Sequence, residues 1–217
     1  MLKFIETLKN IWTIDELKNR ILITLFFLII YRLAAQVVLP GVDYNIISEA
    51  QIAGGGGLLG LLNAFTGGAF ANASVVALGI MPYISASIVV QLMGVALPYL
   101  QKLQKEGESG RKKITQITRW LTIAICVVQA PAYLYGLGAL GVPDAAFVLG
   151  KGPFFIIPSV IILVTGCIFA MWLGEKITDK GIGNGISLLI MVGIIATLPQ
   201  AFVQEWVSRV TESNGGL

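Results

Sequence analysis

Residues Gly54-Gly-Gly-Gly-Leu-Leu-Gly-Leu-Leu-Asn-Ala-Phe-Thr-Gly-Gly68, and after them Ala77-Leu-Gly-Ile-Met-Pro-Tyr-Ile-Ser-Ala-Ser-Ile-Val-Val-Gln-Leu92, lie in one gap of 52 uncharged residues between Glu49 and Lys102. A single helical crossing of a bilayer needs roughly 20 residues, so the gap is too long for one span and too broken by glycine for two. Its second part, from about Ser74 to Tyr99, is densely apolar and reads as a full crossing. Its first part offers only the stretch Leu58–Thr66 between Gly54–Gly57 and Gly67–Gly68. At about 1.5 Å per residue, that stretch is too short for about 30 Å of hydrocarbon. Irregular backbone at membrane depth is tolerated inside protein or beside water. Two readings stand for it: a half-helix inserted from one face into a cavity, or an apolar loop lying at the interface.

The rest of the chain has the same character. Apolar residues make up 56% of the 217 and charged residues only 12%, with mean hydropathy +0.82. Soluble domains carry about 25% charge, so a soluble single domain, a disordered chain and a nucleic-acid binder are excluded. Three further gaps, of 24, 23 and 24 uncharged residues, separate Arg119 from Asp144, Lys151 from Glu175 and Lys180 from Glu205. Each is long enough for one crossing. The stretch Ile21–Pro40 is another, broken only by Arg32, and it is too long for a cleaved signal peptide.

The expected fold class is an all-α membrane protein with five transmembrane helices and a short re-entrant half-helix. The expected organisation is a cytoplasmic amphipathic segment at 1–20, spans at 21–40, 74–100, 120–141, 153–174 and 182–204, and the external half-helix at 54–70. A basic cytoplasmic loop is expected at 101–119 and an external tail at 205–217. Of the 15 Lys and Arg residues, 12 fall before the first span, between the second and third, or after the fourth. The positive-inside rule therefore places the N-terminus in the cytoplasm and residue 217 outside.

The chain has no His, and Cys126 and Cys167 lie in separate apolar runs. That leaves no disulfide framework and no metal-ligand spacing, and the two cysteines read as small buried hydrophobes. No cofactor, metal or catalytic residue is expected. The Gly54–Gly57 run lacks the Lys-Ser/Thr of a phosphate loop. No Asp or Glu falls inside an expected span, which counts against an ion-coupled carrier. Arg32 has two readings, snorkelling or pairing with a helix terminus, and lining a wet vestibule. Ile80 with Ile84, and Ile186 with Ile190, each stack at helical spacing. Such isoleucines are ordinary packing, or a constriction that excludes ions by dewetting. Pro82, between the first pair, points to a kink.

Three strings then carry a resemblance: Ala77–Leu92 above, Lys105-Glu-Gly-Glu-Ser-Gly-Arg-Lys-Lys113, and Met171-Trp-Leu-Gly-Glu-Lys-Ile-Thr-Asp-Lys-Gly-Ile-Gly-Asn-Gly-Ile-Ser187. In this order, with Phe65-Thr-Gly-Gly-Ala69 upstream, they resemble the N-terminal half of bacterial SecY, the family of channel subunits of the Sec preprotein translocase. The resemblance implies one half of an inverted-repeat channel in the bacterial cytoplasmic (inner) membrane, which conducts unfolded preproteins and admits membrane proteins sideways into lipid.

By position, the resemblance implies a pore ring of Ile80, Ile84, Ile186 and Ile190. It implies a plug over about Leu58–Phe70, including Leu61, Leu62, Asn63, Phe65 and Thr66, whose glycine borders let it swing. Ser85 and Gln129 resemble polar positions of a lateral gate. Lys105, Arg111, Lys112 and Lys113 fit cytoplasmic docking or topology. The implied partners are a second half of SecY, the small subunits SecE and SecG, the SecA motor ATPase, the ribosome, signal sequences with unfolded preproteins, and membrane lipid. The alternative from another class is half of an inverted-repeat facilitator for small solutes.

Overall fold

A computed structural model describes residues 14–43, 45–47, 63, 65–139, 143–148, 150 and 152–213. Among them the regular structure is helical: α1 (Asp15–Gln36), α2 (Met81–Ala96), α3 (Pro98–Lys105), α4 (Glu108–Ala139), α5 (Pro153–Lys180) and α6 (Gly185–Ser213), with a 3-10 turn at Asp144–Ala146. Among the described residues, three segments are long and apolar enough to cross a membrane: Glu108–Leu137, Pro153–Lys180 and Gly185–Val207. The α2 and α3 pair passes the same test jointly but is bent by 100°.

Proline chemistry explains where the α2 region departs from expectation. Ser74 bridges to Val38, residues 75–80 form turns, and the helix begins only at Met81. Pro82 therefore sits in the first turn, where its missing N–H has no helical partner to lose, and it starts the helix instead of kinking it. The bend falls at Leu97, which is extended at φ −100° and ψ 119° because Pro98 disfavours helical backbone in the residue before it. α1 likewise runs without a break through the expected boundary at residue 20. Asp15 and Glu16 occupy its first turn, where the helix dipole favours negative charge.

The expected basic loop at 101–119 is a helical hairpin. Gly107, at φ +70°, turns the chain between α3 and α4. Gly110 lies so close to α3 that a Cβ there would stand 2.8 Å from the carbonyl carbon of Leu103. Lys112 pairs with Glu108 at 3.3 Å and Lys113 with Glu106 at 3.5 Å. At this same end, Thr24 ties α1 to the α5–α6 turn. Its Oγ1 accepts a hydrogen bond from the Ile182 N–H at 3.1 Å while donating to the Arg20 carbonyl at 2.8 Å.

The opposite end is closed by three connecting segments. The Leu39 N–H donates to the Ala73 carbonyl, and the Val75 N–H to the Val37 carbonyl. The Asp43 N–H donates to Ala146, and the Val148 N–H to Gly41. Beneath them a core gathers Leu39, Ile47, Leu78, Leu134, Leu137, Phe147, Phe155 and Leu163. A second core, nearer the middle, joins Tyr31, Ile80, Leu173, Ile177 and Leu189. Between α4 and α5 the two cysteines, far apart in sequence, meet: their sulfurs lie 2.9 Å apart and both residues are buried. They are not neighbours along the chain, and helix packing alone makes the contact. α6 is the least covered of the long helices, with Met191, Ile195, Leu198, Phe202, Val203 and Trp206 exposed.

Candidate functional site

The isoleucines of α2 and α6 converge where the segment after the glycine run meets the bundle. One cleft is lined by Tyr31, Phe65, Thr66, Gly79, Ile80, Met81, Ile84 and Ile190. Ile80 is buried, while Ile84 and Ile186 pack on the same central core at partial exposure. Ile186 leans toward α5, where a Cβ on Gly174 would come 2.9 Å from its Cγ1. Three of the four residues proposed for a ring therefore share a cleft with Phe65 and Thr66, and the fourth packs beside them.

Leu58, Leu61 and Leu62 lie outside the described residues, and the description of the expected half-helix begins at its C-terminal part. Asn63, Phe65 and Thr66 are helical, and turns follow from Gly67. The end is closed by a Schellman-type bond, from the Gly68 N–H to the Asn63 carbonyl at 3.0 Å, with Gly67 left-handed at φ +65°. The side chains of Asn63 and Thr66 hold what comes next. Asn63 Oδ1 accepts from the Ala71 N–H at 3.0 Å and Thr66 Oγ1 from the Phe70 N–H at 3.1 Å. Phe70 is then fixed to α4: the Tyr133 hydroxyl donates to its carbonyl at 2.6 Å, and the two rings meet edge-on at 4.9 Å. The glycine pair is thus a bonded helix end.

Two residues outside the expected ring, plug and gate positions complete the arrangement. Arg32 Nη1 donates to the Gly67 carbonyl at 3.1 Å. This is pairing with a helix terminus, the first of the two readings left open for Arg32. Gly193, one turn beyond Ile190 on α6, allows the segment to lie against helix backbone. A Cβ there would stand 2.7 Å from the Phe65 carbonyl oxygen. Gly193 was a glycine inside an apolar helical pattern, the one available signal of a close approach.

Ser85 and Gln129 both face outward from the packed helices, Ser85 bonding back to the Met81 carbonyl at 3.1 Å. Lys105 ends α3, while Arg111, Lys112 and Lys113 open α4, and all four are exposed. Among the described residues no cluster of Cys, Asp and Glu has the arrangement of a metal site.

Comparison with known proteins identifies the family behind this arrangement. A model of the SecY family matches residues 74–216. The chain belongs to the SecY family. The protein translocase subunit SecY of Haemophilus influenzae is 45% identical over 189 residues, 87% of this chain and 42% of that protein. The chain therefore spans less than half the length of the SecY protein it matches. Among solved structures, Sec61 in the canine ribosome-channel complex from the endoplasmic reticulum aligns with TM-score 0.63 at 19% identity, over 90% of this chain and 42% of that one. A SecY structure described by a plug domain that stabilises the closed translocation channel aligns with TM-score 0.56 at 22% identity, over 83% of this chain and 36% of that one. At those identities the structural likeness establishes the fold: the helical arrangement is that of the SecY and Sec61 channels.

Proposed function

We propose that this chain is the N-terminal half of a protein-conducting channel, which passes unfolded preproteins across the membrane and releases apolar segments sideways into lipid. The observation that carries the reading is the cleft in which Ile80, Ile84 and Ile190 meet Phe65 and Thr66. An apolar constriction has no strong binding group to retain a passing chain, and a short capped segment lying against it can act as its stopper. Ile186 completes this half of the ring, and the plug extends over 58–70.

In this reading α1, α2, α4, α5 and α6 are five crossings of a bacterial inner membrane, with the α3–α4 hairpin in the cytoplasm and residue 217 outside. The exposed faces of α1 and α6 meet lipid or the second half of the channel. Ser85 and Gln129 line the edge through which a signal sequence reaches lipid. Lys105, Arg111, Lys112 and Lys113 present the hairpin to SecA or a ribosome, and SecE and SecG complete the assembly. The chain supplies no chemistry of its own; the push comes from the bound motor or from translation.

The test is site-specific crosslinking in the assembled translocase. With Phe65 or Ile84 replaced by Cys, a stalled secretory chain is expected to crosslink at both positions, and deletion of 58–70 is expected to raise small-solute leak. No crosslink at either position, together with unchanged leak, overturns the channel reading.

A further inference from the structure

Arg32 is the only charged residue between Arg20 and Asp43. It sits on a helix that otherwise contributes Tyr31, Phe27, Leu28 and Ile30 to the central apolar core. Its guanidinium reaches the carbonyl of Gly67, the left-handed residue that ends the plug helix. The C-terminus of a helix carries partial negative charge on its unpaired carbonyls, and an Arg donor there satisfies both the charge and the hydrogen bond. Here the donor comes from a different helix, 35 residues away in sequence.

The Cβ side of the same residue is also approached by α6. A Cβ on Gly67 would stand 2.9 Å from Gly193 Cα and 3.0 Å from its carbonyl oxygen, and would also collide with Arg32 Nη1. Gly67 therefore packs directly on both the Arg32 guanidinium and bare helix backbone, one turn from Ile190, with no room for a side chain.

We propose that Arg32 and Gly193 form the seat of the plug. Arg32 holds the end of the plug helix by its carbonyl, and Gly193 lets Phe65–Gly67 lie directly on α6. Opening then begins with rupture of the Arg32–Gly67 bond, while Tyr133 on α4 keeps the turns that follow at 69–73 in place through the Phe70 carbonyl. Both residues act by positioning the plug and have no contact role in moving the substrate. The inference rests on the channel reading of the preceding subsection.

The test uses the complete translocase in proteoliposomes. Arg32→Met removes the donor at similar length, Arg32→Lys keeps a charge and a donor, and Gly193→Ala intrudes on Phe65. Resting leak of small ions is expected to rise at least tenfold for Arg32→Met and Gly193→Ala and to fall back toward wild type for Arg32→Lys. A preprotein with a weakened signal segment is expected to pass more readily in both leaky variants. To show that a leaky variant is folded, Phe65→Cys and Ile190→Cys are added to Arg32→Met in a background lacking Cys126 and Cys167. Bridging them with a short bifunctional thiol reagent is expected to restore the seal. Leak at the wild-type level in Arg32→Met and Gly193→Ala overturns the seat, as does leak that bridging fails to stop. If a channel that keeps Arg32 and Gly193 still crosslinks to a stalled chain through Ile84→Cys, the channel reading survives that result; if it does not, both fall.

Discussion

Arg119 of α4 and Glu175 of α5 grip each other through two hydrogen bonds, Nε to Oε1 at 2.8 Å and Nη2 to Oε2 at 2.6 Å. The fork matches the planar guanidinium to both carboxylate oxygens. It clamps the third and fourth apolar helices at the end where the basic residues gather.

The two partners are unequal: the Glu175 side chain is only 17% exposed, that of Arg119 46%. Arg119→Met thus leaves a poorly hydrated carboxylate without its partner, at a cost of about 1–3 kcal/mol. Arg119→Met combined with Glu175→Gln removes the stranded charge and is expected to be more stable than Arg119→Met alone. Thermal unfolding of the purified complex in detergent, read as a double-mutant cycle, checks this. Strictly additive losses would show that the pair does not couple.

One helical layer deeper, α4 and α5 also meet at Cys126 and Cys167. Both thiols are buried, so a maleimide is expected to leave them unlabelled in the native membrane and to label both after denaturation in SDS. Treatment with diamide, which takes two electrons from the thiol pair as it is reduced to the hydrazine, is expected to join the sulfurs and abolish that later labelling. Persistent labelling of both cysteines after diamide would contradict the packing of α4 on α5.

The contrast between these two contacts marks what could be read in advance. Gaps without charge located the apolar helices because the cost of burying an ion is paid residue by residue along the chain. The strings around Ile80, Gly107 and Asn184 fixed the family, and Gly67–Gly68 fixed the end of the half-helix. The cysteine pair, the Arg119–Glu175 fork and the Arg32–Gly67 bond depend on which helix faces which, and that information is tertiary. The break at Leu97 was written in Pro98, but a continuous apolar run outweighed it. The α3–α4 hairpin was legible only at its tip: charge beside glycine over 106–113 suits a turn between helices, but the flanking charges read as loop, although solvated helices carry as many.

Tyr133 gives a way to loosen the segment after Gly67–Gly68 without touching the isoleucine-lined cleft. Tyr133→Phe keeps the edge-on ring contact with Phe70 but strands the Phe70 carbonyl, at a cost of about 1 kcal/mol. Tyr133→Ala also removes the buried ring and is expected to cost about 3–5 kcal/mol. A Cys placed at Ala71 should then react with an externally added, membrane-impermeant thiol reagent faster in Tyr133→Phe than in wild type, and faster again in Tyr133→Ala. Equal rates in all three would mean that Tyr133 does not anchor this segment.

The α3–α4 hairpin holds two glycines that do different work, and alanine separates them. At Gly107 nothing lies within 4 Å of a new Cβ, so Gly107→Ala meets only the penalty of left-handed backbone, about 1 kcal/mol. Gly107→Asn should recover part of that, since asparagine tolerates this conformation better. At Gly110 the backbone is helical but the Leu103 carbonyl occupies the space, so Gly110→Ala must push α3 off α4 and is expected to cost about 1–3 kcal/mol. The second change also displaces Lys112 and Lys113, which are held by Glu108 and Glu106 at the hairpin's tip. If the hairpin docks a motor or ribosome, Gly110→Ala should weaken that binding more than Gly107→Ala does, measured as a shift in Kd against the intact translocase. Equal binding by the two variants, with the stability difference present, would leave those lysines a topological role alone.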